Sequence, residues 1–147
     1  MADKPVRVKY TSLVIIWLTL LISQPIFALV IYFIKPELFD LSQRPPVMGS
    51  QPLIILAFIV AAIAFFILSQ VLNGQHIRRA AADHDPGCIQ TGLVLGCALS
   101  EVPTLLGVIL AFVWGYHYFF AWMILGTIGI LLNFPRKSSL DAADGEL

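Results

Sequence analysis

The chain has 147 residues, 59% of them hydrophobic and only 12% charged, and its nine basic and nine acidic side chains leave a formal net charge of zero. A mean hydropathy of +0.86 exceeds what a soluble domain of this size carries and implies a membrane protein. With no basic patch large enough for nucleic acid, the first partner implied is the lipid bilayer.

In chain order, Lys4, Arg7 and Lys9 precede a segment, Tyr10 to Ile34, that holds no Lys, Arg, Asp or Glu. The apolar run from Leu13 is longer than a signal-peptide core and no A-x-A site closes it, so it is expected to remain as a first span over about 12–34. Pro36 to Pro52 follows as a polar outer loop, in which the Pro45-Pro46 pair favours an extended conformation. A second uncharged block, Pro45 to Gln75, gives a second span over about 53–72.

The segment "NGQHIRRAAADHDPG", residues 73–87, is expected as a central polar loop. His76, His84, Asp85 and Cys88 gather there, but their spacing matches no standard metal site and a solvated loop is the simpler reading. From Ile89 to Phe134 the only charge is Glu101. A single helix over that stretch would be about 69 Å long against a hydrocarbon core of about 30 Å, so the chain must fold back once. Gly115, Tyr116 and His117 are the natural turn and give spans over about 89–113 and 117–134.

His117, Trp114 and Trp122 read as interfacial anchors. Cys88 and Cys97 lie nine residues apart on one helix, cannot bond to each other and are expected as free thiols. The residues from 138 to 147 form a short acidic tail expected to be mobile.

The expected fold is therefore all-α: one integral membrane domain, 1–147, built as a four-helix bundle of two helical hairpins. Seven of the nine basic residues flank the termini and the central loop, whereas Lys35 and Arg44 lie on the other side. Both termini are therefore expected in the cytoplasm.

Glu101 falls about twelve residues into the third span, near mid-membrane, where an uncompensated carboxylate costs several kcal/mol. It is expected to be neutral or partnered there. Pro103 removes the amide that would reach the Leu99 carbonyl and so leaves an acceptor nearby. Gly92, Gly96, Ser100, Thr104 or Pro103, Gly107, Ala111 and Gly115 recur every three or four residues, a small-residue stripe along which another helix can pack closely. An internal echo links "SQPIFALVIYF" at 23–33 with "SEVPTLLGVILAF" at 100–112. It aligns Gln24 with Glu101 at the same depth, where the two can hydrogen-bond within one subunit or across a subunit contact; the alternative is that Ser23, Gln24 and Pro25 only kink the first helix and bond locally.

The run "LGCALSEVPTLLGVILAF", residues 95–112, resembles the carboxylate-bearing helix of the rotor-ring proteolipid (c-type) subunits of rotary ATPases. In that family a helical hairpin with a cytoplasmic polar loop carries an ion-binding Glu or Asp at mid-membrane. The second span, the central loop and the third span repeat that order, and on this resemblance Glu101 matches the ion-binding carboxylate. Residues 53–72 contain no glycine and the carboxylate falls in the third span, so the likeness is to a divergent four-helix relative.

Two functional readings follow. In the first, Glu101 binds and releases a proton or monovalent cation, with Gln24, Ser100, Thr104 and the Leu99 carbonyl completing the site. In the second, the chain is a structural accessory subunit in which Glu101 only makes interhelical hydrogen bonds. Either reading implies other membrane subunits or a homo-oligomer. No nucleophile-base-orienter set, phosphate loop or haem-like axial pair stands out, which points away from an enzyme and from any cofactor.

Overall fold

The structure, a computed structural model, describes residues 9–40, 42, 46–48, 51–83 and 86–144. The described residues form helices and their connections: α1 (Tyr10–Ile34), a short 3-10 turn (Pro36–Phe39), α2 (Pro52–Asp83), α3 (Pro86–Trp114), α4 (Phe119–Leu132) and α5 (Lys137–Asp144). The first three α-helices are long and apolar enough to cross a membrane. The apolar α4 has 14 residues and a length of about 21 Å, short of a full hydrocarbon core. The described residues thus form an all-helical fold whose three long apolar helices and one shorter apolar helix are compatible with a membrane bundle.

Local chemistry sets the helix ends. Pro36 closes α1 from just beyond its last turn, and Pro52 and Pro86 each open a helix at a position whose amide would be unpaired anyway. At the end of α3, Gly115 takes φ +62 and its N–H bonds the Ala111 carbonyl at 3.1 Å, a left-handed cap that glycine adopts without steric penalty. Lys35, on α1's flank, donates its ammonium to the Phe112 carbonyl at 2.9 Å and the Ala111 carbonyl at 3.4 Å. A cation there complements the negative end of the α3 dipole.

Three expectations change. The second helix continues to Asp83, about 48 Å in all, so most of the expected polar loop is helix. The Arg-Ala-rich segment 77–82 propagates the helix beyond the apolar span. The tail is helical to Asp144 and buries Leu140 against Ala80, Ile89 and Leu93, because one leucine on an otherwise polar helix suffices to dock it. Trp122 is 7% exposed and packs with Ala62 and Leu110 in the interior, since Gly107 opposite leaves room for its ring. Trp114, by contrast, is exposed and meets Phe58 edge-on. The expectations that concern Lys4, Arg7, Arg44, Pro45, His84 and Asp85 lie outside the described residues.

The interior is organised around α3, which touches α1, α2, α4 and α5. Its small residues meet α4 in antiparallel register. A Cβ on Gly107 would stand 2.5 Å from that of Trp122, one on Gly126 would overlap the Thr104 hydroxyl, and one on Gly129 would stand 2.7 Å from the Ser100 Oγ. On α2 the partners are His76, whose Cβ sits 2.5 Å from where a Gly92 Cβ would be, and Asn73 against Gly96. In contrast, α1 is peripheral, with only Leu13, Gln24 and Ile31 buried.

Gly129→Ala is therefore expected to destabilise the bundle by about 1–3 kcal/mol through overpacking. Gly74→Ala, whose new methyl group meets nothing within 4 Å, should be neutral or stabilise by up to about 1 kcal/mol. Thermal unfolding of the two variants in detergent checks this, and equal shifts would contradict the close α3–α4 packing.

Candidate functional site

Polar side chains in hydrocarbon have no water to bond, so their partners must come from the protein. The structure sorts them into two groups on opposite sides of α3. Toward α2 and α4, the Ser69 hydroxyl lies 2.7 Å from the Gly96 carbonyl and 2.7 Å from the Ser100 Oγ, and Ser100 also reaches the Gly96 carbonyl at 2.8 Å. Asn133, just past the end of α4, points its amide Nδ2 at Ser69, Ser100 and the Gly129 carbonyl at 3.0, 3.1 and 2.9 Å. Its Oδ1 accepts from Asn73 at 2.7 Å. This cluster ties α2, α3 and the end of α4 together, and Ser69, Ser100 and Asn133 are all buried.

Toward α1 the arrangement differs. Glu101 Oε1 lies 2.5 Å from the Ser23 Oγ, and Thr104 donates its hydroxyl to the Gln24 Oε1 at 2.6 Å. The neighbouring helices are parallel, so Ser23-Gln24 and Glu101-Thr104 meet at one depth. The expected Gln24–Glu101 bond is replaced by these two, because the register that seats Gln24 on Thr104 brings Ser23 to the carboxyl. Gln24 is 3% exposed and its buried amide Nε2 has no partner among the described residues.

Of the residues singled out in the sequence, Glu101 and Gln24 therefore share the α1–α3 contact but not a bond. Ser100 faces the opposite cluster, Thr104 serves Gln24, and the Leu99 carbonyl is not the partner of Glu101. Gly92, Gly96, Pro103 and Gly107 are buried along α3. Ser23, Ser69, Asn73 and Asn133 carry bonds that the sequence reading passed over. One signal was present: "LISQP", "ILSQV" and "ALSEV" put a Ser-Gln or Ser-Glu pair into each of the three long helices, and all three serines make interhelical contacts.

Ser23 lies between two acceptors. Its Oγ is 2.6 Å from the Leu20 carbonyl as well as 2.5 Å from Glu101, yet a hydroxyl has one proton to donate. With an ionised carboxylate the proton serves Glu101 and the Leu20 contact is lost. With a neutral carboxyl, Glu101 donates to Ser23 and Ser23 donates to Leu20, and both contacts are filled.

Outside the spans, the Asp40 carboxyl is held below its usual range by the backbone N–H and then the hydroxyl of Ser42. Burial raises the Tyr116 phenol above its usual range, with Tyr118 adding to the effect. Cys88 and Cys97 form no disulfide. Among the described residues no group of three or more His, Cys, Asp or Glu side chains gathers as a metal site. No family model, curated protein or solved structure matches the chain.

Double-mutant cycles measured by unfolding in mixed micelles should show coupling of about 0.6–2 kcal/mol for Ser23→Ala with Glu101→Leu, and for Gln24→Leu with Thr104→Val. Gln24→Leu with Glu101→Leu should be nearly additive. Strong coupling in that third pair would reject the bonding pattern described above.

Proposed function

We propose that the chain is a small polytopic subunit of a larger membrane assembly, in which Glu101 reversibly binds a proton at mid-membrane and passes its protonation state to the α1–α3 contact through Ser23. The observation that supports this most directly is the lone Ser23 hydroxyl between Leu20 and Glu101, since only the neutral carboxyl fills both contacts. The ligand is taken as a proton and not a metal cation, because Ser100 belongs to the cluster on the other side of α3, Thr104 bonds Gln24, and among the described residues Ser23 is the one side-chain oxygen bonded to the carboxyl. A cation of the sodium or potassium kind would need several more oxygens to replace its water.

The resemblance of residues 95–112 to the proteolipid carboxylate helix accords with this reading. In the proposed orientation both termini and the Arg78-Arg79 end of α2 face the cytoplasm, as the distribution of basic residues favours.

The accessory-subunit reading also has an observation in its favour. Trp17 donates its indole N–H to the Ile130 carbonyl at 2.8 Å, and with Lys35 on Phe112 and Thr104 on Gln24 it fastens α1 without the carboxyl of Glu101. In that case Glu101 is one more interhelical bond and never releases its proton.

Infrared difference spectroscopy of the protein in lipid separates the two. The proton-binding reading expects a protonated-carboxyl band that disappears reversibly as the pH is raised and is missing in Glu101→Gln, a variant whose amide can still donate to Ser23 and keep the fold. A band that persists at every pH at which the protein stays folded would leave the accessory role. Absence of any such band at neutral pH would remove the basis for the proton-binding proposal.

A further inference from the structure

One end of the bundle gathers the basic residues Lys9, Arg78, Arg79, Arg136 and Lys137, which lie at the start of α1, in the outer part of α2 and in the α4–α5 connection. A cavity of about 290 Å³ opens there, where α2, the beginning of α3 and the segment after α4 converge. Its lining is two-sided: Gln70, Asn73 and Asn133 supply amides, Ile77 and Leu93 supply apolar wall, and the exposed Arg136 supplies the charge.

The polar groups of this lining are unequally engaged. The Asn73 and Asn133 amides are committed to the buried cluster at 2.7 to 3.1 Å. Gln70 is not: its Nε2 lies 3.4 Å from the Ser69 Oγ and 3.5 Å from the Gly129 carbonyl, both at the long limit of a hydrogen bond. The Arg136 guanidinium makes no ion pair among the described residues. Ser139 also lines the cavity and is half-buried. The available groups are thus a cation and uncommitted donors, which select for an anion rich in acceptor oxygens. Leu132 and Phe134 line the same cavity and are exposed beside it, at 59% and 45%, so an apolar chain attached to that anion can continue along the bundle surface.

We infer that this cavity binds the phosphate headgroup of an anionic amphiphile, with Arg136 and Gln70 on the phosphate oxygens and the acyl chain against Leu132 and Phe134. The chemistry is that of basic pockets between membrane helices that retain acidic phospholipids. The inference is independent of Glu101, which does not line the cavity.

The test uses the full chain purified in detergent, with binding read by native mass spectrometry. Phosphatidylglycerol should bind about tenfold or more tightly than phosphatidylcholine, and Arg136→Gln should remove most of that preference. Arg79→Gln, which alters the same end but not the cavity, should leave it nearly intact. Gln70→Glu, which sets a carboxylate against the phosphate, should weaken phosphatidylglycerol alone and guards against misreading a folding defect in the Arg136 variant. If inorganic phosphate binds by itself with the same Arg136 dependence and displaces the lipid, the site stands and its ligand is free phosphate. Equal binding of the two lipids, or equal losses from Arg79→Gln and Arg136→Gln, would overturn the proposal in favour of general surface attraction.

Discussion

A side chain of even one carbon on Gly126 or Gly129 would run into Thr104 or Ser100, so α4 can lie where it does only because both faces of that contact are stripped to small groups. Between membrane helices there is little hydrophobic gain from mutual burial, since lipid is as apolar as leucine. Close van der Waals approach and short polar bonds have to supply the attraction. The approach of α4 also delivers Asn133 to Ser69 and Ser100, and the carbonyl of Gly129 to the same amide. Packing and hydrogen bonding in this bundle are therefore one constraint: widening the α3–α4 gap would leave several buried polar groups without partners, at about 1–3 kcal/mol each.

The side of α3 that faces α1 is built differently. Its bonds stand apart along the helix and form no shared cluster, α1 buries only three of its residues, and among the described residues the enclosed Gln24 amide nitrogen has no acceptor. A helix held by a few discrete bonds can shift with little disturbance to the core, whereas the α2–α3–α4 unit cannot. The carboxyl of Glu101 sits on this looser boundary, bonded to Ser23. Under the proposed function, that is where a change of charge would have mechanical consequence.

The two ends of the bundle also differ. At the Lys35 end, a lysine satisfies the last carbonyls of α3 and aromatic rings close the contact, with Phe39 edge-on to Phe119. At the other end the basic residues make no ion pair among the described residues and stand beside an amide-lined cavity. One end engages its lysine in the fold, and the other carries the cavity where the inferred anion would bind.

Much of this was legible in the sequence, because hydrocarbon imposes a simple demand that apolar run length answers directly. The absence of charge over Tyr10 to Ile34 and over Pro45 to Gln75, the forced turn near Gly115 and the small-residue stripe of the third span are local or periodic properties of the chain. So is the rarity of a carboxylate at Glu101. The partners of these groups were not legible. The echo between Ser23-Gln24 and Ser100-Glu101 placed the pairs at one depth, but a register difference of one residue decides whether Gln24 or Ser23 faces the carboxyl, and register follows from how two complete helix surfaces fit. The burial of Trp122 and the docking of Leu140 likewise depend on what stands opposite them. Sequence by itself determined which segments can be helices in a membrane and which residues are out of place there. The tertiary structure decided which of those residues meet, because hydrogen bonds and close packing act over a few ångströms between helices that the chain order leaves free to rotate and slide.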